Sequence, residues 1–500
     1  MKPSASLHRA CSPALGALCC LWLAGCSGAG HAERGPDGVN VTPSSEVRQG
    51  QTGILLAFER GAGGLSKLSR VDLEDLEATV DTRSTDDLLL VNVTVPHGAA
   101  LGPRTLTLET PTGTLTQANA LEVTPITAGP AGQDSSLGTQ SSPFRTLKQA
   151  LLVAGAGDTC LLQNGTYSAQ SGETWGYAPP EQLTIQGESF AQTVMQGPEE
   201  TSPGTPAAAT PALAPSAALT LTQLSLMGFD VALAVSGPAQ LSLQDVVMDG
   251  ATGVVAEGTG SSIKLTRGSM DSSDFAVRLG DSCSGCSLSI DGTTLTESGV
   301  GPVIQISKAA QQSQLALKQA QITAGVLVAD AQATATLEGG TLTGGEVAPA
   351  LDFAGAKLDV TGTAFRAGSA PYGLSLRAGT TSLADATVEG DQYGVYQLGG
   401  SSKVRGTKIS GYSSIGLYFA TGNMDLGTAT EAGNNTFVGG GADAYGLYVD
   451  TNTSPPTCSN TSFDGTVPEP GMVQAGIDLL FAPSEYVLAA TKTITFFRVP

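Results

Sequence analysis

A short pattern of glycine followed by apolar residues returns along the second half of the chain at steps of 21 to 24 residues. The step from Gly373 to Gly394 is 21 residues, that from Gly394 to Gly416 is 22, and Gly253 and Gly325 lie 72 residues apart, or three steps of 24. One repeat of this length cannot bury its own apolar face, so the next repeat must cover it. The pattern therefore predicts stacked β-coils, and the roughly 40-residue blades of a propeller fit it less well.

Composition agrees with narrow coils and excludes several classes of function. Gly is 64 of 500 residues and aromatics are 5%, which suits a thin core with many turns. The formal net charge of −21 disfavours a nucleic-acid partner. No histidine follows His97, so the large C-terminal part cannot use Ser-His-Asp, Cys-His or histidine-zinc chemistry.

The first residues resemble the precursor of an exported bacterial lipoprotein. Lys2 and Arg9 precede an apolar stretch that is shorter than the roughly 20 residues needed to span a bilayer. The stretch ends in Leu-Ala-Gly before Cys26, which resembles a lipobox and implies cleavage before Cys26 and lipidation of its thiol. We expect residues 1–25 to be a signal peptide, 26–37 a tether, and the mature chain to be held on a membrane by acyl chains. Serine follows Cys26, which in that family does not signal inner-membrane retention, so the expected location is the outer membrane of the bacterial cell envelope.

Residues 38–125 alternate apolar and polar side chains at period two, which is typical of an antiparallel β-sandwich with short strands. The segments 95–98 and 102–108 resemble the strand and turn motifs of IPT/TIG immunoglobulin-like domains. The resemblance implies a small immunoglobulin-like sandwich that serves as a spacer or binding module. His97 falls in the turn, has no partner nearby in sequence, and is expected to be exposed there.

The most specific string opens the domain expected over 126–500. It comprises Asp134, Gly138-Thr139, Pro143-Phe144-Arg145-Thr146-Leu147, Ala150-Leu151, Gly157-Asp158-Thr159 and Gly165-Thr166-Tyr167. This string closely resembles the opening of a bacterial family of secreted, pectate-lyase-like β-helices known only as a domain of unknown function. The resemblance implies a right-handed parallel β-helix over most of 126–470 and supplies no established activity.

Local signals refine this expectation. Ser142 as N-cap and Pro143 in the first turn predict a short amphipathic helix that covers the open end of the solenoid core and ends at Gly155. Residues 196–217 are rich in Pro, Ala and Thr and predict a flexible loop. The dipeptides Asp249-Gly250, Asp291-Gly292 and Asp464-Gly465 are expected at coil corners.

The basic residues Lys403, Arg405 and Lys408 form the one cluster of positive charge in this domain. If the segment is a strand, the first two share a face and would line a groove for an anionic glycan; a solvated coil face is the other interpretation. Seven tyrosines gather in the C-terminal coils and either pack at corners or form a strip for sugars: Tyr372, Tyr393, Tyr396, Tyr412, Tyr418, Tyr445 and Tyr448.

Four cysteines remain after lipidation of Cys26. Cys283 and Cys286 have redox-motif spacing but fall in an expected turn, which favours a local disulfide over an oxidoreductase site. No metal site is predicted, because the carboxylates show no clustering beyond turn positions. Ca²⁺ is the one cofactor that the acidic composition leaves open.

Together these features predict a lipid-anchored cell-envelope protein that presents a β-helix for binding or adhesion, with polysaccharide as the partner. Two alternatives stay open: a polysaccharide lyase for acidic glycans, and a structural envelope component. A lyase needs carboxylates on adjacent coils and an Arg or Lys base. The missing imidazoles and the lack of a catalytic signature favour a role without catalysis.

Overall fold

The computed structural model describes residues 39–41, 45–60, 68, 70–111, 113–198, 210–428, 430–440, 444–449, 457–458 and 460–463. The expected signal peptide, the tether and Cys26 lie outside these residues, as does Asp464-Gly465. Within the described ranges, no helix has the length and apolarity that crossing a membrane requires.

The N-terminal unit consists of two four-stranded sheets, ordered β1-β3-β6-β5 and β2-β8-β7-β4. Their strands are β1 (Val39–Val41), β2 (Ser45–Arg48), β3 (Ile54–Arg60), β4 (Arg70–Leu73), β5 (Glu77–Val80), β6 (Leu88–Thr94), β7 (Gly102–Thr110) and β8 (Gly113–Thr124). Pairing is antiparallel except between β2 and β8. Phe58, Val91 and Leu106 belong to one buried cluster supplied by both sheets. The two-sheet arrangement is all-β, and its assignment to the immunoglobulin-like class stays a prediction.

The remaining strands form a parallel β-solenoid of the right-handed type with about 11 turns. They are β9 (Ile126–Ala128), β10 (Thr159–Leu162), β11 (Gly165–Tyr167), β12 (Leu183–Gly187), β13 (Thr193–Gln196), β14 (Leu219–Thr222), β15 (Ser225–Ser236), β16 (Gln240–Gln244), β17 (Val247–Glu257), β18 (Ser262–Thr266), β19 (Ser269–Leu279), β20 (Ser287–Asp291), β21 (Thr294–Glu297), β22 (Ile304–Ile306), β23 (Gln314–Lys318), β24 (Gln321–Ala324), β25 (Val326–Val328), β26 (Thr334–Glu338), β27 (Thr341–Gly344), β28 (Leu351–Phe353), β29 (Lys357–Thr361), β30 (Ala364–Arg366), β31 (Tyr372–Leu376), β32 (Thr380–Ala384), β33 (Thr387–Glu389), β34 (Tyr393–Gln397), β35 (Ser401–Arg405), β36 (Lys408–Ser410), β37 (Ile415–Phe419), β38 (Asn423–Leu426), β39 (Thr436–Val438), β40 (Tyr445–Val449), β41 (Thr457–Cys458) and β42 (Ser462–Phe463). One sheet has 14 of these strands and the other has 20. The prediction of stacked β-coils is confirmed.

Aligned apolar columns hold the coils together. One column in the 14-stranded sheet is fully buried, and the register places its members directly above one another: Leu243, Leu265, Ile290, Leu317, Leu337, Val360, Leu383 and Val404. Each coil therefore buries the inner face of its neighbour and also satisfies the neighbour's strand edge.

A left-handed corner residue joins the two sheets in successive coils. Its φ lies between 50° and 64° in every coil from the third strand pair onward: Gln223, Asp245, Arg267, Gly292, Gln319, Gly339, Gly362, Asp385, Gly406, Asn434 and Asn460. This conformation favours glycine, asparagine and aspartate, which explains the recurrence of those residues at the corner. Asp291-Gly292 lies at such a corner, as expected. Asp249-Gly250 does not, because both residues lie inside β17.

The helix α1 (Leu147–Val153) begins later than the sequence indicates. Its N-cap is Thr146, whose hydroxyl accepts a hydrogen bond from the Gln149 amide at 3.0 Å. Phe144 instead bridges to Ala128 beside β9 and is buried. The expectation that Ser142 starts the helix is therefore wrong, and the capping role of α1 stays a prediction.

The segment 196–217 is only partly loop. Gln196 ends β13, and residues 199–209 lie outside the described chain. Leu213 is fully buried and bridges both Tyr177 and Leu233, so the end of this segment packs into the solenoid. An apolar side chain at that position, which composition alone conceals, is what seats it.

A buried carboxylate joins the sandwich to the first coil. Asp158 is fully buried and accepts hydrogen bonds from His97 Nδ1 at 2.6 Å, the Gly98 amide at 2.7 Å and the Gly155 amide at 2.8 Å. Gly155 is required there, because a Cβ would lie 2.4 Å from the imidazole ring. His97 is thus half-exposed and paired across the junction, whereas the sequence suggested an unpartnered turn residue.

Candidate functional site

Six of the ten tyrosines gather on one face of the last described coils. We call Tyr372, Tyr393, Tyr396, Tyr418, Tyr445 and Tyr448 the tyrosine surface. The strands β31, β34, β37 and β40 carry it, and the register stacks Tyr396, Tyr418 and Tyr448 directly above one another. All six except Tyr448 are partly exposed. The seventh tyrosine of the predicted set, Tyr412, is fully buried and lies apart from this surface.

The rings of the tyrosine surface pack on each other. Stacked pairs have centroids 4.6 Å apart for Tyr372 and Tyr396, 4.7 Å for Tyr396 and Tyr418, and 4.7 Å for Tyr418 and Tyr448. Tyr393 meets Tyr396 and Tyr418 edge-on. Because stacked rings cover each other's faces, a sugar cannot stack between them. A ligand would instead meet ring edges and phenol hydroxyls, which donate and accept hydrogen bonds.

The structure brings together two of the three basic residues. Lys403 and Arg405 lie on β35, while Lys408 is exposed on β36 in the other sheet. The Lys403 Nζ is 2.5 Å from Glu431 Oε1, and the Arg405 Nη2 is 2.7 Å from Asp425 Oδ2. Two cations therefore face two carboxylates.

These acidic partners belong to the following coil and were missed in the sequence. Asp425 is in register with Lys403 across β35 and β38, and Glu431 follows that strand. Glu431 also lies 3.6 Å from Arg405 Nε and bridges the two cations. The hydrogen bond from Lys403 lowers the pKa of Glu431, so it is ionised in this cluster. Coil length varies, so spacing alone does not reveal which carboxylate faces which cation.

The three cysteines whose side chains are described carry free, buried thiols. Cys283 and Cys286 share one turn, and Cys160 lies on β10 near the other end of the 14-stranded sheet from Cys458. That separation prevents a bridge between Cys160 and Cys458 within one chain. Across the described residues, no three His, Cys, Asp or Glu side chains are grouped so as to hold a metal ion.

Comparison with known proteins gives a family match and distant folds. Residues 130–231 match the family described as "Protein of unknown function (DUF1565)", which confirms the resemblance for the string that begins at Asp134. No curated protein matches the chain.

Solved structures with a similar fold share little sequence with the chain. They include the catalytic unit of a GH87 α-1,3-glucanase from Streptomyces thermodiastaticus strain HF3-3, with 12% identity, 77% of this chain and 76% of that chain covered, and a TM-score of 0.41. A rhamnogalacturonan lyase has 12% identity, 70% and 91% coverage and a TM-score of 0.31. Pectate lyase Pel9A has 10% identity, 68% and 79% coverage and a TM-score of 0.23. At these TM-scores the likenesses carry no conclusion about what this chain does.

Proposed function

We propose that this chain is a lipid-anchored cell-envelope protein whose β-helix binds a polysaccharide through the tyrosine surface. The observation that carries the proposal is the concentration of tyrosines on one face of four successive coils in a chain with only 5% aromatic residues. Tyrosine offers a rigid apolar body with a polar tip, which is why it is enriched in binding surfaces.

The stack supports binding along the rod axis. Its members repeat once per coil, so their hydroxyls recur at about the 4.7 Å spacing of the rings. An extended polymer with regularly spaced hydroxyl groups suits such a row. Immobile stacked rings also lose little conformational entropy when a ligand binds.

A direct test measures the retardation of the purified chain in native gels that contain neutral or uronate polysaccharides. The double variant Tyr393→Ala/Tyr396→Ala should lose retardation by the bound polymer. Phe190→Ala is the matched control, because Phe190 is a half-exposed aromatic on an early coil outside the tyrosine surface. Retardation by no polymer, or equal retardation of both variants and the wild type, would refute the proposal and favour the structural role.

The ion cluster on β35 supports a second candidate, a lyase for acidic glycans. Arg405 and Lys403 with Asp425 and Glu431 supply cations and carboxylates from adjacent coils, the combination that a lyase requires. Incubation with uronate polymers and Ca²⁺ should then release unsaturated products, and Arg405→Gln should abolish them. The Lys408→Gln variant is the control, since Lys408 lies on the other sheet. No product from any uronate polymer would exclude this candidate.

Anchoring through Cys26 is tested independently of the ligand. Expression of the full chain in a bacterial host with labelled palmitate should label the wild type and leave Cys26→Ser unlabelled and unprocessed. Fractionation then shows whether the labelled chain enters the outer membrane. Labelling of the Cys26→Ser protein would contradict the assignment.

A further inference from the structure

One corner of the solenoid holds two thiols in contact. Cys283 and Cys286 lie in the turn between β19 and β20, and their side chains are 1% and 0% exposed. The two thiols are joined by a hydrogen bond. The Cys283 thiol also donates to the Ala256 carbonyl at 3.3 Å, and the Cys286 thiol to the Gly258 carbonyl at 3.2 Å.

Neighbouring coils show that this corner does not need sulfur for its shape. The register of β18 with β20 puts Ser261 at the level of Cys286. The Ser261 hydroxyl donates to the Gly237 carbonyl at 2.6 Å, the same kind of bond that Cys286 makes one coil later. The bridge from Ser284 to Gln311 puts the buried Ala310 at the level of Cys283. Serine and alanine therefore fill these positions elsewhere in the rod.

The turn with the cysteines belongs to a longer coil. The step between corner residues is 22 residues from Gln223 to Asp245 and 22 from Asp245 to Arg267, but 25 from Arg267 to Gly292. The additional residues lengthen a turn that has no strand partner of its own. A covalent link across four residues would restrict that turn in the unfolded chain.

We propose that Cys283 and Cys286 form a disulfide that closes this corner when the chain folds in an oxidising compartment. The two thiols lose two protons and two electrons, and a disulfide oxidant, either a protein disulfide or oxidised glutathione, is reduced to two thiols. Exchange passes through a mixed disulfide on one cysteine, which the other then displaces. The hydrogen bond from Cys283 lowers the pKa of the Cys286 thiol, which makes Cys286 the attacking thiolate.

The test uses the full chain refolded with oxidised glutathione, then denatured without reductant and alkylated with iodoacetamide. The peptide that contains both cysteines should be lighter by two hydrogen atoms and carry no alkyl group. Cys160 is the internal control: burial raises the pKa of its thiol, and its thiol should be alkylated once the chain is denatured. Alkylation of both Cys283 and Cys286 in this sample would overturn the proposal.

Two variants copy the neighbouring coils and keep the test independent of misfolding. Cys286→Ser reproduces Ser261, and Cys283→Ala reproduces Ala310, so both should fold. In each variant the remaining cysteine of the pair should become fully alkylated. Protection that persists in the single variants would show a different partner and overturn the pairing. The oxidised wild type should melt higher than its reduced form by on the order of 2 °C.

Discussion

Replacing Asp158 with asparagine should destabilise the junction between the sandwich and the first coil. The carboxylate is fully buried, and its Oδ2 accepts from His97 Nδ1 and the Gly155 amide, while its Oδ1 accepts from the Gly98 amide. Asparagine retains one acceptor oxygen. Its amide group therefore opposes at least one N–H donor, whichever way the side chain is turned.

The expected loss follows from these three bonds. One buried donor left unsatisfied costs about 1–3 kcal/mol, and two bonds that change from charged to neutral acceptors lose about 1 kcal/mol each. We therefore expect Asp158→Asn to lower the free energy of unfolding by about 3–5 kcal/mol. His97→Ala should cost less, because its ring is half-exposed and water replaces part of the lost bond.

Urea unfolding followed by tryptophan fluorescence measures this loss. Trp175 is the single tryptophan after the expected signal peptide, and it packs edge-on against Tyr177 and Phe229 in the early coils. Asp271→Asn is the matched control, because Asp271 is exposed on β19 and should change stability by less than about 0.5 kcal/mol. If Asp158→Asn unfolds within about 1 kcal/mol of this control, the buried carboxylate does not hold the junction.

Three further changes test the core, a corner pair and the ring stack. Phe365→Ala should lower the free energy of unfolding by about 3–5 kcal/mol in urea, because the side chain is fully buried on β30, and a loss below about 2 kcal/mol would contradict that packing. Arg267→Ala should raise the pKa of Asp245 toward its ordinary value, because the guanidinium hydrogen bonds now lower it. The pair therefore stabilises the ionised form above the ordinary carboxyl range and is lost as pH falls, and an unchanged pKa in an NMR titration would contradict this. Tyr418→Ala removes the middle ring of the stack and should cost about 1–3 kcal/mol and reduce near-ultraviolet circular dichroism, whereas an unchanged spectrum would show that the rings are not ordered.

The solenoid was predictable because its physics repeats. Alternating residues such as Leu315 and Leu317 face inward at the same level as their counterparts in the next coil, so the period alone implies the core. Corner glycines such as Gly292 and Gly362 recur because a left-handed φ favours them. These signals are local, and each coil repeats them.

The functional contacts were not predictable in the same way. His97 and Asp158 are 61 residues apart and meet only because the sandwich docks on the first coil. Glu431 reaches Lys403 and Arg405 because the step from Gly406 to Asn434 is 28 residues, longer than the 21 before it. Contacts that depend on irregular coil lengths leave no periodic trace.

The stacked coils also act as a ruler. Parallel strands lie about 4.8 Å apart, and β29 is the tenth strand of its sheet counted from β9, so nine spacings separate them by about 43 Å. Tyr372 follows β29 in the same coil, and the junction at Asp158 lies beside β10 at the near end. Each coil added to or removed from the middle of the rod would move the tyrosines by one strand spacing relative to the sandwich. Coil number thus sets how far from its base the molecule can reach, and deletion of whole coils offers a way to change that reach without altering the surface itself.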